Sequence, residues 1–315
     1  ISAAIFTLLL RTGKPFPALR LTPGVFWIGL IGAWGLGNVA IYVVFGETLN
    51  FVGIDQVYEQ RAAAATLGGA LIGYVMGTLG GAINPFLLIV GISKRRPLFI
   101  GLALVGQLFI YSTLAGKVVL GATLLTVGTL FAFKAGQVVF ARIHAVVLFF
   151  AGLGPIVAAY QVGTGILSVI SDLVYMRILV LPGVLIGVYS DFFLRYPVTY
   201  FSHSLVGRPF SEYPYGTESI GQVIGRYVTP SAAAEVNNYN ANFIAADGVA
   251  GFSTWGVALI FLFAALWLWL ASRLVGESNR PLACAVLMPF VVSLADASAF
   301  SAILTGGGAA GGGLR

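Results

Sequence analysis

Long apolar runs recur along the chain and predict helices that cross a membrane. A helix needs about 20 apolar residues to span the roughly 30 Å hydrocarbon core of a bilayer, and several runs reach that length. The runs lie at about 1–10, 24–45, 63–92, 98–115, 118–133, 144–161, 165–190, 249–274 and 282–304. We therefore predict an all-α fold, a polytopic transmembrane helical bundle with about nine or more spans.

One long polar stretch, residues 191–248, precedes the last two apolar runs. It is rich in Tyr, Pro, Ser and Asn and shows neither the helical nor the strand period. Long irregular segments between packed helices commonly carry function. We predict one integral membrane domain over residues 1–315, with 191–248 as a long irregular extramembrane loop. Because the chain opens at Ile1 inside an apolar run, we expect the protein to extend further upstream.

Composition strengthens the membrane interpretation. Hydrophobic residues make up 58% of the chain and charged residues only 9%, whereas about 25% of an average soluble domain is charged. This shortage of charge excludes a cytosolic globular enzyme, a disordered tail and a disulfide-stapled secreted module. The net charge of +6 is typical of the excess of Lys and Arg in cytoplasmic loops. The longest basic run, Lys94–Arg96, gives no support for a nucleic-acid partner.

Loop charges predict the side of the membrane on which the long loop lies. Basic residues place the first, third and fifth loops in the cytoplasm; they are Arg11, Lys14, Arg20, Lys94, Arg95, Arg96, Lys134 and Arg142. Strict alternation would put 191–248 in the cytoplasm too, but acidic residues outnumber arginines within it, and Arg273 and Arg280 follow the next run. We resolve this conflict with a broken or re-entrant segment in 144–190, and predict that the loop lies outside.

No metal or nucleotide signature occurs in the sequence. The two histidines, His144 and His203, are far apart, and no cluster of Cys and His has the spacing of metal ligands. Neither a phosphate-binding loop nor a dinucleotide fingerprint is present. We therefore predict no cofactor, so that an enzyme of this sequence would work without a bound nucleotide or metal.

Four arginines are candidate anion ligands. Arg177 lies within apolar sequence, where a cation costs at least about 2.5 kcal/mol unless it is paired or faces a cavity. An anion site competes there with snorkelling or with a structural pair to Asp172. Arg195, Arg208 and Arg226 lie in the long loop. Guanidinium groups bind phosphate oxygens in bidentate fashion, so two or three of them together would hold a pyrophosphate.

Other side chains of the loop suggest a glycan site. Tyr213 and Tyr215 offer flat faces to sugar rings, although tyrosines also populate membrane interfaces. Asn240 and Asn242 belong to a cluster of four asparagines, more than one helix cap requires, and amides bind sugar hydroxyls. Histidine is the side chain best suited to exchange protons near neutral pH. His203 is therefore a candidate base, with an ordinary loop histidine as the alternative.

These features resemble the O-antigen polymerase (Wzy-type) and O-antigen ligase-like family of bacterial polytopic membrane glycan polymerases. The strongest part is 240–256, which resembles the family's Asn-x-Asn, then small and acidic residues, then Phe-Gly-x-x-Gly at the start of a late helix. Ser253 departs from this pattern, since a glycine would follow Phe252. The other similarities are Gly116-Lys117, Arg177 with Pro182, Tyr189–Phe193, Ser202 with Ser204, Pro214–Gly216 and Ser301–Gly307.

The resemblance implies a metal-independent glycosyltransferase of the bacterial inner membrane, with an active site facing the periplasm. Such polymerases transfer a glycan carried on undecaprenyl pyrophosphate to another lipid-linked repeat unit, whereas the related ligases transfer it to lipid A-core. The partners implied are this glycan donor and acceptor, the lipid bilayer, and a chain-length regulator or other polysaccharide-export proteins.

The implied chemistry assigns roles to the candidate residues. The leaving pyrophosphate needs cationic stabilisation, for which the candidates are Arg177, Arg195, Arg208 and Arg226. The acceptor hydroxyl must lose its proton to a general base, for which the candidates are His203, then Glu212, Asp191 and Asp247. The residues expected to bind the glycan are Tyr213, Tyr215, Asn240 and Asn242.

Two non-enzymatic alternatives stay open at this point. A polysaccharide or lipid transporter would show paired half-repeats and ionisable residues near the middle of helices in both halves. No internal repeat is visible, and the charges concentrate in the long loop, which favours the enzyme. A structural membrane subunit of a larger complex is the other alternative.

Overall fold

The computed structural model of the protein describes residues 22–49, 67, 70–114, 117–136, 142, 145, 180–204, 207–230, 239–275, 279–295 and 297–305. The regular structure of these residues is entirely helical, as the sequence predicts. The α-helices are α1 (Pro23–Phe45), α2 (Ala70–Thr78), α3 (Asn84–Ser93), α4 (Pro97–Leu114), α5 (Lys117–Lys134), α6 (Leu181–Arg195), α7 (Ile220–Val228), α8 (Ala250–Leu274), α9 (Arg280–Val286), α10 (Met288–Ser293) and α11 (Ala299–Thr305). Two π-helical turns, Leu79–Ile83 and Ile244–Val249, precede α3 and α8.

Three helices are long and apolar enough to cross a membrane, namely Pro23–Phe45, Leu71–Ser93 and Ile244–Leu274. Shorter apolar helices cover Pro97–Thr113, Val119–Lys134 and Pro281–Ser293. These helices are those of a membrane protein. The predicted span at 1–10, all but residue 145 of the one at 144–161, and the part of 165–190 that precedes residue 180 lie outside the described residues.

The polar stretch 191–248 is not irregular throughout, which corrects the sequence-based prediction. Helix α6 continues into it as far as Arg195, and helix α7 lies in its middle. Helix α7 begins with a capping box, in which the Ser219 hydroxyl accepts from the amide of Gln222 and the Gln222 side chain accepts from the amide of Ser219. The Ser-x-x-Gln spacing of this box is a recognised sign of a helix start.

The described residues form two compact units. One unit comprises those within Ala135–Trp267 and Ser293–Ser301, and the other those within Thr7–Lys134, Leu268–Val292 and Ala302–Arg315. The core of the first unit joins α6, α7 and the residues just before α8 through buried apolar side chains. Those with the least exposure in this core are Tyr189, Ile224, Ala241, Ala245 and Ala250.

A chain of buried amides and hydroxyls joins α1, α3, α4 and α5 in the second unit. Trp34 Nε1 donates to Asn84 Oδ1 at 3.0 Å, and Asn84 Nδ2 donates to Gln107 Oε1 at 3.3 Å. Gln107 Nε2 in turn donates to Thr123 Oγ1 at 2.9 Å and to the carbonyl of Gly80, in the first π-turn, at 3.1 Å. Polar side chains that satisfy one another in this way hold apolar helices together within a membrane.

This network makes α4 intolerant of a side chain at Gly106. A Cβ there would lie 2.6 Å from Asn84 Oδ1, and Asn84 cannot move without breaking its bonds to Trp34 and Gln107. We expect Gly106→Ala to destabilise the protein by about 1–3 kcal/mol, as overpacked cores do. Thermal unfolding of the purified protein in detergent would measure the loss.

The matched control is Gly101→Ala in the same helix. A Cβ on Gly101 meets nothing within 4 Å, and alanine is the better helix former by about 1 kcal/mol. We expect this variant to be at least as stable as the wild type. Equal stability of the two variants would contradict the packing described for Gly106.

Candidate active site

The candidate site in the first unit is built on a break near the start of α8. Phe252 and Ser253 have non-helical dihedral angles, and Ser253 has φ 54° and ψ −136°. A Cβ on Gly256 would lie 1.9 Å from the carbonyl oxygen of Gly248. Eight residues of straight helix would separate these positions by about 12 Å, so the chain folds back on itself. The helix predicted over 249–274 therefore contains a break near its start, which the apolar pattern does not indicate.

The break holds the loop that carries His203. Two backbone amides of that loop donate to carbonyls of the helix start, Thr199 to Ala250 at 2.8 Å and Tyr200 to Gly251 at 3.1 Å. Further tight turns follow, since the amide of Ser202 donates to the carbonyl of Thr199 at 2.9 Å. Main-chain hydrogen bonds thus position the loop of His203, and they depend little on the identity of the side chains in the loop.

His203 and Asp247, predicted separately as candidate bases, lie side by side. His203 Nε2 is 3.1 Å from Asp247 Oδ1, and His203 Nδ1 is 2.8 Å from Thr199 Oγ1. Asp247 has no solvent exposure. Its Oδ1 also accepts from the Ser298 hydroxyl at 2.6 Å, and its Oδ2 accepts from the amide of Ala299 at 2.5 Å. Each oxygen of this buried carboxylate therefore has a hydrogen-bond donor, as a buried polar group requires.

A cavity of about 880 Å³ opens beside this pair. Its volume lies in the usual range for small-molecule sites. Predicted site residues on its wall are His203, Arg208, Glu212, Tyr213 and Asn240. The cavity thus brings together a possible proton acceptor, a cation, a carboxylate, a phenol and an amide, which come from 203–213 and 240.

The three predicted arginines that the structure describes do not converge on one place. Arg208 is exposed and lines the cavity. Arg195 donates to Asp191 Oδ1 at 2.9 Å, on the exposed end of α6, and Arg226 forms an ion pair with Glu218. Arg177 lies outside the described residues. Among the described arginines of the prediction, Arg208 is the one on the cavity wall.

Asp191 is engaged elsewhere than at the cavity. The Tyr227 hydroxyl donates to Asp191 Oδ2 at 2.5 Å, while Arg195 occupies the other oxygen. The hydrogen bond from Tyr227, and then the one from Arg195, hold the pKa of Asp191 below its usual value. A carboxylate stabilised in this way is a weak base, and it joins α6 to α7.

The two predicted tyrosines have different surroundings. Tyr213 lines the cavity, and within the described part of the chain its buried hydroxyl has no hydrogen-bond partner. Burial raises the pKa of Tyr213, so that it remains a neutral donor. The hydroxyl of Tyr215 instead donates to the carbonyl of Pro197 at 2.5 Å, and its ring packs against Phe192. Burial raises the pKa of Tyr215 to about 12.

The two predicted asparagines also differ. Asn240 is exposed on the cavity wall. Asn242 is buried, and its Oδ1 accepts from the amides of Ile244 and Ala245, both at 3.1 Å. Its Nδ2 donates to the carbonyl of Pro182 at 3.1 Å. Asn242 therefore caps the turn of helix that leads to Asp247, which is the structural alternative to a sugar contact.

Sequence reasoning missed Thr199 and Ser298, the hydroxyl groups that flank the histidine and the aspartate. Ser298 follows Asp247 by 51 residues, and no local pattern connects the two. The one available sign was the position of Ser298 directly before a short apolar helix, where serine is a common cap. That sign indicates a helix start and carries no information about a distant carboxylate.

Comparison with protein-family models, with curated proteins and with solved structures finds no match to this chain. Among the described residues, no group of three or more His, Cys, Asp or Glu side chains could hold a metal ion. A functional interpretation therefore depends on the chain's own residues and their arrangement.

The strained serine at the break gives a first test of the site's architecture. A positive φ with this ψ suits glycine and costs other residues roughly 1–3 kcal/mol. We expect Ser253→Gly to raise the unfolding temperature of the purified protein. Ser253→Ala keeps a Cβ and should give no gain, while Gly256→Ala should destabilise because of the contact with Gly248. A stabilising Gly256→Ala would contradict the folded-back helix.

Proposed function

We propose that the protein is a membrane glycosyltransferase that polymerises lipid-linked oligosaccharide repeat units at the periplasmic face of the bacterial inner membrane. The observation that carries the proposal is the cavity, whose wall joins Arg208 to the His203–Asp247 pair. The helices long enough to span a membrane support it as well. Undecaprenyl pyrophosphate is the carrier that the sequence resemblance implies.

The reaction needs two kinds of group, and the cavity offers both. An acceptor hydroxyl attacks the anomeric carbon of the donor glycan, the bond from that carbon to the pyrophosphate oxygen breaks, and the hydroxyl proton passes to a base. Negative charge builds up on the leaving pyrophosphate, which a cation stabilises more in the transition state than before it. Arg208 is the cation placed for this role, with the neutral phenol of Tyr213 as a further donor.

His203 is the first candidate base, because it lines the cavity and Asp247 orients its ring. To take the acceptor's proton, its Nδ1 must leave Thr199 Oγ1, which lies 2.8 Å away. Glu212 is the second candidate, since its exposed carboxylate faces the same space. The single-residue variants His203→Ala and Glu212→Gln separate the two. Asn240 and Tyr213 are placed to contact a sugar ring, whereas Asn242 and Tyr215 have structural partners within the protein.

The backbone conformation of Ser253 agrees with the resembled sequence pattern. Ser253 stands where a glycine follows phenylalanine in the resembled pattern, and its φ of 54° is of the kind that glycine adopts most easily. The residue at this position is a serine, but its backbone has the conformation that glycine favours. This supports the proposed membership without depending on any side chain of the cavity.

Turnover of a lipid-linked oligosaccharide by the purified protein tests the proposal. We expect Arg208→Ala to lower turnover by about 10²–10³-fold, as the loss of one group that stabilises developing charge does. Lys94→Ala removes an exposed cation from the other unit and should keep wild-type turnover. Supplying either a second lipid-linked repeat unit or lipid A-core as acceptor separates polymerase from ligase. Wild-type turnover by a folded Arg208→Ala variant would refute the assigned site.

The side of the membrane can be tested without substrate. Thr217 is exposed on the cavity wall, and Cys284 is the single cysteine of the chain. In a Cys284→Ala background, we expect Thr217→Cys to react with a membrane-impermeant maleimide added to cells whose outer membrane has been permeabilised. Labelling that requires lysis of the inner membrane would place the cavity in the cytoplasm and contradict the proposal.

A further inference from the structure

Asp247 receives its hydrogen bonds from two parts of the chain that are distant in sequence. One partner is His203, 44 residues before it, and the donors on the other side are the Ser298 hydroxyl and the Ala299 amide, 51 and 52 residues after it. A carboxylate without solvent exposure is costly unless such donors replace water. The start of α11 therefore completes the environment of the pair.

The pair has hydrogen-bond partners for more than one arrangement of hydrogens. An ionised carboxylate only accepts, so a hydrogen on His203 Nε2 points toward Asp247. The Thr199 hydroxyl, 2.8 Å from Nδ1, donates to the carbonyl of Ala250 at 2.9 Å and can accept from a hydrogen on Nδ1. When Nδ1 carries no hydrogen, the hydroxyl can turn and donate to it, and the carbonyl of Ala250 still accepts from the amide of Thr199.

Ser298 differs from the other donor at the start of α11, because its side chain also lines the cavity, as His203 does. Its hydroxyl accepts a long bond from the Ser301 amide at 3.4 Å, which caps α11, and donates its own hydrogen to Asp247 at 2.6 Å. Capping uses a lone pair of the oxygen and the bond to Asp247 uses the hydrogen. The two roles are compatible and can be separated by experiment.

We propose that Ser298 is a positioning residue that sets the proton affinity of the His203–Asp247 pair. Its hydrogen bond stabilises the state in which the pair carries a net negative charge. Loss of this bond makes the pair bind a proton more readily, so that the titration midpoint of His203 moves to higher pH. The catalytic meaning of this inference rests on the proposed function, but the titration itself requires no substrate.

Other ionisable groups face the same cavity and would contribute to the titration. They are Arg208, Glu212, Glu218, Tyr189 and Tyr213. All of them stay unchanged in the variants described below, so differences between variants report the Ser298 contact.

The chain offers a direct readout, because His203 is one of only two histidines. In a His144→Gln background, ¹⁵N-labelled histidine reports His203 alone by NMR in detergent micelles. We expect the neutral ring to carry its hydrogen on Nε2. Ser298→Ala should raise the titration midpoint by about one pH unit, the size expected for one bond to a charged group. Ser298→Thr retains the hydroxyl and should restore the wild-type midpoint.

Thr217→Val is the matched control, since it removes a hydroxyl from the cavity wall that does not contact Asp247. It should leave the midpoint unchanged. Ser298→Gly serves if the alanine variant fails to fold, because glycine is better tolerated than alanine at the start of a helix. A neutral ring protonated on Nδ1 in the unsubstituted site would overturn the proposal, as would a midpoint that is unchanged without the Ser298 hydroxyl. Normal titration shifts without any glycosyl transfer would count against the proposed function only.

Discussion

A carboxylate without access to water, that of Asp247, constrains the described structure around the cavity. A buried carboxylate needs polar partners, and these come from the loop before α7 and from the start of α11. In the same region the chain folds back at the start of α8, and its main chain pairs with the loop that carries His203. A break in a helix, a tight turn and the start of a late helix thus lie together around one buried carboxylate.

The second unit solves the same physical problem with neutral groups. Asn84 and Gln107 lie in apolar helices, where an unsatisfied amide is costly, and each finds partners on neighbouring helices. Neutral amides bring less desolvation cost than a carboxylate and no capacity to exchange protons near neutral pH. We therefore interpret the hydrogen bonds of Asn84 and Gln107 as structural, and the carboxylate of Asp247 as the better candidate for a chemical role.

The sequence predicted features that depend on neighbouring residues, and it missed those that depend on contacts between residues far apart in the chain. Apolar runs predicted helices because their length and composition are local properties, and the polar segment drew attention to His203, Arg208 and Tyr213. Residue type alone could not separate Arg208 from Arg195 and Arg226, since an arginine that is paired with a nearby acid and one that faces a cavity look alike in sequence. Ser298 was beyond reach for the same reason, because its partner lies 51 residues away.

Strain at Ser253 follows from how firmly its neighbours are held. Gly248 and Gly256 approach each other closely, and the carbonyls of Ala250 and Gly251 are held by main-chain hydrogen bonds. These contacts restrict the dihedral angles of the residues near them. A non-glycine residue keeps a positive φ only where its surroundings determine it more strongly than its own preference. The strain at the break therefore indicates that the main chain holds Asp247 and the loop of His203 rigidly. A site needs such rigidity if a proton is to move between fixed atoms.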